Sequence, residues 1–106
     1  MARALINVPA TVKRGEVIEI KTLISHPMEP GYRTNSTGEK LPRDIIHVFL
    51  CLYNDEEIFR AELSPAIAAN PFISFSTIAT ASGKLEFQWT GDNGFSAIES
   101  VAITVE

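Results

Sequence analysis

Apolar and polar residues alternate with period two along most of this chain, the pattern of strands that bury one face. Ile18, Ile20, Thr22 and Ile24 share one side of the run Glu16–His26, and Glu19 and Lys21 take the other. Leu85, Phe87 and Trp89 alternate with Glu86, Gln88 and Thr90. Val101, Ile103 and Val105 alternate with Ala102 and Thr104. Further strands are predicted over Ala2–Val8, Arg43–Tyr53, Glu57–Leu63 and Phe72–Ala79. Turn-forming residues punctuate these runs at Arg14-Gly15, Pro30-Gly31, Thr37-Gly38, Asn54-Asp55, Ser82-Gly83 and Gly91-Asp92-Asn93-Gly94. About seven short strands so spaced predict an all-β, immunoglobulin-like β-sandwich. It is expected to occupy residues 1–106 as a single domain. Ser64–Pro71 departs from the pattern. A capping serine, a proline at the first helical position and three alanines predict about one helical turn there.

The run Arg43–Tyr53 is apolar on both sides. Ile46, Val48, Leu50 and Leu52 form one face; Ile45, His47, Phe49, Cys51 and Tyr53 form the other. A two-layer sandwich covers only one face of each sheet, so the second face needs another cover. Neighbouring side chains or a loop are one option and a protein partner is the other. The reading taken forward turns the aliphatic set inward. It assigns Ile45, His47, Phe49 and Tyr53 to a partner interface, with Phe49 and Ile45 near its centre.

Composition narrows the function classes. The chain has 106 residues, 45% of them hydrophobic, enough for one globular core. Its net charge is −4, from nine basic and thirteen acidic residues that are interspersed, which disfavours nucleic-acid binding. No stretch reaches the roughly 20 apolar residues of a membrane span. Met1–Pro9 lacks the apolar run of a signal peptide. The lone cysteine, Cys51, excludes an intrachain disulfide.

Candidate chemistry is sparse. His47 and Cys51 lie four apart on one strand face, roughly 13 Å at 3.3 Å per residue, beyond general-base reach. Cys51 therefore reads as a small buried hydrophobe. His26, Met28 and Cys51 are soft-metal donor types, but two histidines and one cysteine make no recurring ligand spacing. Asp55-Glu56-Glu57 reads as a solvated hairpin tip and Gly91–Gly94 as a tight turn rather than a calcium loop. No catalytic residue, cofactor or metal is assigned. The most unusual stretch is His26–Asp44, a long connection that carries Met28, Tyr32, Arg33 and Arg43.

Three blocks resemble the SoxZ family. They are Ser25–Arg33 followed by Leu41–Ile46, then Ala79–Gly94, then Ala4–Pro9 with Arg14–Glu16. The similarity runs in order over nearly the whole chain. Pro30 stands where many relatives are expected to have threonine. The resemblance implies an immunoglobulin-like sandwich that pairs with SoxY, a subunit bearing its carrier cysteine on a flexible C-terminal arm. It implies a sulfur-carrier heterodimer in thiosulfate oxidation, periplasmic and exported with its partner, that meets other Sox enzymes transiently. Under that reading Met28, Tyr32, Arg33 and Arg43 form a loop that receives the arm or the enzymes. A homodimer of the isolated chain is left open. The competing class is a stand-alone immunoglobulin-like binding or accessory module. A small metalloprotein or thiol enzyme is disfavoured by the ligand count and the His47–Cys51 separation.

Overall fold

The computed structural model describes residues 3–106. The strands in chain order are β1 (Ala4–Asn7), β2 (Thr11–Val12), β3 (Val17–Ile24), β4 (Ile46–Tyr53), β5 (Glu56–Glu62), β6 (Phe72–Ile78), β7 (Gly83–Gly91) and β8 (Ser96–Val105). They form a three-stranded sheet ordered β1-β3-β6 and a five-stranded sheet ordered β2-β8-β7-β4-β5. All neighbours are antiparallel except β2 and β8. This is the expected immunoglobulin-like sandwich.

The predicted alternation is realised where both faces differ clearly in polarity. Ile18, Ile20, Thr22 and Ile24 of β3 are buried, as are Leu85, Phe87 and Trp89 of β7. The Thr22 hydroxyl is satisfied by donating to the Ile73 carbonyl at 3.1 Å. Phe49 of β4 sits in the middle, its ring 5.3 Å from Trp89 and 5.9 Å from Phe75. Each such side chain contributes roughly 1.5–3 kcal/mol by leaving water.

The β4–β5 hairpin turns on two residues, Asn54 and Asp55, with φ of 48° and 68°. Positive φ at both positions is the two-residue turn whose twist matches its strands. The Asn54 carboxamide then accepts the Lys84 N–H at 2.9 Å. A Cβ on Gly83 would lie 1.7 Å from that oxygen, so a larger residue there would push the carboxamide out of this bond.

Several expectations are corrected. The first predicted strand starts at Ala2, which lies outside the described residues. It breaks after Asn7, and Pro9, which has no N–H for a ladder, marks where the chain crosses to the other sheet as β2. The strand expected from Val101 begins at Ser96. Ser64–Pro71 makes a single reverse turn, with Ile67 N–H donating to the Ser64 carbonyl, and no helix. The span is too short to repay a helix nucleus, closed as it is by Asn70 at a φ of 55° and by Pro71. The largest correction concerns β4, whose inward face is the opposite of the one expected.

Candidate partner interface

The β4 reversal follows from a bulge. Gly91 of β7 opposes Ile46 and Thr90 opposes Val48, so His47 is one residue too many in β4. A bulge re-aims the side chains that flank it. Consecutive Ile45 and Ile46 are both buried, and from there Phe49, Cys51 and Tyr53 point inward. Ile45 is 1% exposed, Phe49 0% and Tyr53 6%. These three are core residues and cannot form the surface assigned to them. Two aromatic rings bury more apolar area than two leucines, so the core takes the aromatic face. Tyr53 keeps its hydroxyl satisfied at the sandwich end, donating to the Ala81 carbonyl at 2.5 Å.

The face left outward is aliphatic. Val48, Leu50 and Leu52 are half-buried and stand apart from the residues packed on the core. Cross-strand register maps their surroundings. Leu50 lies between Arg60 of β5 and Gln88 of β7, and Gln88 lies beside Ile98 of β8. Val48 lies between Glu62 and Thr90, and Leu52 between Glu57 and Glu86. The result is an apolar stripe down β4, a second apolar point at Ile98, and a charged border on β5. Ile98 is 62% exposed. Arg60 and Gln88, which flank Leu50, are tied to neighbours on their own strands, Arg60 to Glu57 at 3.2 Å and Gln88 to Glu86 at 2.7 Å.

Asp92 anchors one end of the stripe. It opens a short 3-10 turn, Asp92–Gly94, between β7 and β8. Arg43 clamps its carboxylate with two bonds of 2.9 Å. The Ile45 N–H donates to it at 3.1 Å, and His47 Nε2 sits 2.6 Å away. Arg43 foremost, with Ile45 and His47 adding, holds the carboxyl down at about 2 against the opposing effect of burial. The approach requires Gly91, whose Cβ would lie 2.4 Å from the Ile45 carbonyl. His47 is thus the one member of the assigned interface set with surface access, and it is committed to Asp92.

The connection His26–Asp44 is an ordered hairpin, held by bridges Glu29–Asp44 and Thr34–Lys40. The Asn35 carboxamide ties its tip, accepting N–H bonds from Thr37 and Glu39 at 3.0 Å each. Its base is packed into the core. Met28, 3% exposed, receives the Ile46 N–H on sulfur at 3.2 Å and is a core residue, correcting its assignment to a docking loop. His26 is buried, its ring edge-on to Phe95 and its Nδ1 accepting the Met28 N–H at 2.9 Å. Tyr32 is 75% exposed. Arg33 is exposed but paired with Glu29, its Nε donating at 3.0 Å. Arg43 belongs to the Asp92 clamp. The docking set therefore divides: Tyr32 and Arg33 lie at the surface, Arg43 braces the bulge, and Met28 is inside.

Cys51 is 0% exposed, and burial pushes its thiol up to about 12. Among the described residues no three His, Cys, Asp or Glu side chains gather as a metal site. Val48, Leu50, Leu52, Ile98 and Asp92 are the residues sequence reasoning did not assign to a surface site. Strand parity grouped the first three on one face but left open which way that face turned, and the reading took it inward; the Gly91-Asp92 step gave no signal beyond a turn.

The family model described as "Sulphur oxidation protein SoxZ" matches residues 6–102. No curated protein matches the sequence. Among solved structures, a superoxide reductase (neelaredoxin) variant from Ignicoccus hospitalis superposes with a TM-score of 0.72 at 15% identity, covering 97% of this chain and 79% of that one. The sulfur carrier protein SoxY from Chlorobium limicola f thiosulfatophilum superposes with a TM-score of 0.67 at 11% identity, covering 97% and 78%. A putative superoxide reductase from Thermotoga maritima gives 0.66 at 17%, covering 97% and 85%. At these identities the likeness shows a shared fold and nothing of the chemistry.

Proposed function

The chain belongs to the SoxZ family, and from that premise we propose that it is the non-catalytic half of a heterodimeric sulfur carrier, joined to a SoxY-like chain that bears the carrier cysteine. The observation that carries the location of the joint is the outward aliphatic stripe of β4, half-buried Val48, Leu50 and Leu52, with exposed Ile98 beside it. The division of labour is supported by Cys51: a thiol pushed up to about 12 supplies almost no thiolate near neutral pH, and a sulfur carrier needs the thiolate.

Area argues for a second contact. The four long strands of the sheet, about 4.8 Å apart and about 26 Å long, present on the order of 500 Å². A stable joint takes about 800 Å² per partner. The hairpin is the proposed remainder, with Tyr32 and Arg33 as its exposed contacts to the partner's arm or to the enzymes that load it. The proposal extends to thiosulfate as the sulfur source and to the periplasm, reached by export with the partner; both rest on the family alone.

The test is co-purification with the SoxY-like chain. Wild type should retain it, and Leu50→Glu should lose it while staying folded. Equal retention by both would move the joint off this face. No retention by wild type would favour the stand-alone binding module.

A further inference from the structure

The two sheets each end in an edge strand on the same side of the sandwich, and only one is guarded. β5 carries Glu56, Glu57, Arg60 and Glu62, and its pairing to β4 is broken by an irregularity at Cys51 and Leu52. Charges and irregular register are the usual defences of a free edge. β6 reads Phe-Ile-Ser-Phe-Ser-Thr-Ile, with no charge, no proline and no glycine. Its pairing to β3 runs unbroken over seven positions, and no strand lies beyond it among the described residues. A flat, uncharged strand of this composition is a template for another strand.

The register says which groups are free. Ile24 N–H donates to the Pro71 carbonyl and Ala79 N–H to the Glu16 carbonyl. Odd-numbered positions of β6 therefore exchange bonds with β3, and Phe72, Ser74, Ser76 and Ile78 point their N–H and C=O groups to the open side. The same four side chains are exposed, Phe72 at 61% and Ile78 at 49%.

We infer that a second copy of this chain pairs antiparallel along β6, with Phe75 on the two-fold axis. The strand is nearly its own complement about that residue. Phe72 meets Ile78 of the second copy, Ser74 meets Ser76, and Ile73 meets Thr77. All four outward-bonding positions face outward-bonding positions, so the free backbone groups of the strand are satisfied. The side-chain faces also continue. Within one copy Leu5, Leu23 and Phe72 form an exposed apolar row, as Val17 and Ile78 do at the other end. The two-fold joins the first row to the second row of the other copy across one six-stranded sheet, an isologous interface. A shift by two residues in either direction would set Phe72 or Ile78 against serine or past the strand end. This surface lies in the other sheet from the stripe on β4, so it does not depend on the carrier reading.

The experiment is sedimentation of the purified chain over a concentration series up to about 1 mM, a range that detects weak association. Wild type should dimerise. The double variant Ser74→Lys with Ser76→Lys, which sets lysine against lysine, should weaken the dimer at least about ten-fold with an unchanged circular-dichroism spectrum. Separate Ser74→Cys and Ser76→Cys chains should form a disulfide dimer when mixed and neither alone, since buried Cys51 is inaccessible. A chain that stays monomeric throughout overturns the inference. So does a dimer indifferent to the lysines, or a disulfide formed by either cysteine variant alone.

Discussion

Within the five-stranded sheet β4 is apolar on both faces, yet the two faces do different work. The inner side gathers Phe49, Phe87 and Trp89 into an aromatic centre with no exposed area. The outer side lays Val48 and Leu50 along one strand and leaves them half in water. Hydrophobicity alone does not separate a core from an interface. Volume does: the larger rings fill the space between layers, and the smaller aliphatic side chains are left where a partner can reach them.

The widest separation of the two sides should come from truncation at neighbouring positions. Phe49→Ala should cost about 3–5 kcal/mol of stability in urea unfolding, because it leaves a cavity among four aromatic rings. A variant that keeps its midpoint would mean the ring is not core. Leu50→Glu should be the mirror image. Calorimetric titration with the SoxY-like partner should show a loss of about 2 kcal/mol or more, with stability within about 0.5 kcal/mol of wild type. Arg60, directly across the strand pair, is placed to accept the new carboxylate.

A thiol probe distinguishes the sides more finely. Native Cys51 should resist alkylation until the chain unfolds, and Cys51→Ala should cost about 1 kcal/mol for the lost packing. In that background Leu50→Cys should react in the folded state. Rapid labelling of wild-type Cys51 would place it on the wrong side.

The smallest expected effect is at the bulge where the sides exchange. The Asp92 carboxyl titrates at about 2 in the folded chain, below its ordinary 3.8. Its contribution is therefore fully present above about pH 4 and disappears as pH falls towards 2. Asp92→Asn should remove that part of the acid dependence and lower stability at neutral pH. Parallel pH profiles for the two proteins would separate Asp92 from the effect.

Most of the fold was legible because β3, β7 and the end of β8 alternate strictly, so one face is plainly the inner one. β4 was not, because both of its faces are apolar and the sign of the alternation depends on a bulge at His47. A bulge is set by the backbone of two strands and by a glycine on the partner, none of which leaves a periodic trace. The hairpin was legible as unusual. Its interior was not, because Met28 and His26 are types equally at home in a core or at a surface. Arg43 looked like a free charge because its partner Asp92 is distant in sequence and sits in what read as an ordinary turn.

The parallel pair β2–β8 sets an order of events. It joins Thr11 and Val12 to Thr104 and Val105, near opposite ends of the described chain. The outer strand of the five-stranded sheet can be laid down only after β8 exists and has docked on β7. Pairings this far apart in sequence delay folding, which in sandwiches takes milliseconds to seconds. Throughout that interval the uncharged β6 already has its sheet partners β1 and β3 complete in sequence, and its open edge is exposed while the facing five-stranded sheet is unfinished. The closing of the sandwich is thus a race between its own late latch and the earliest chance encounter of two unguarded edges.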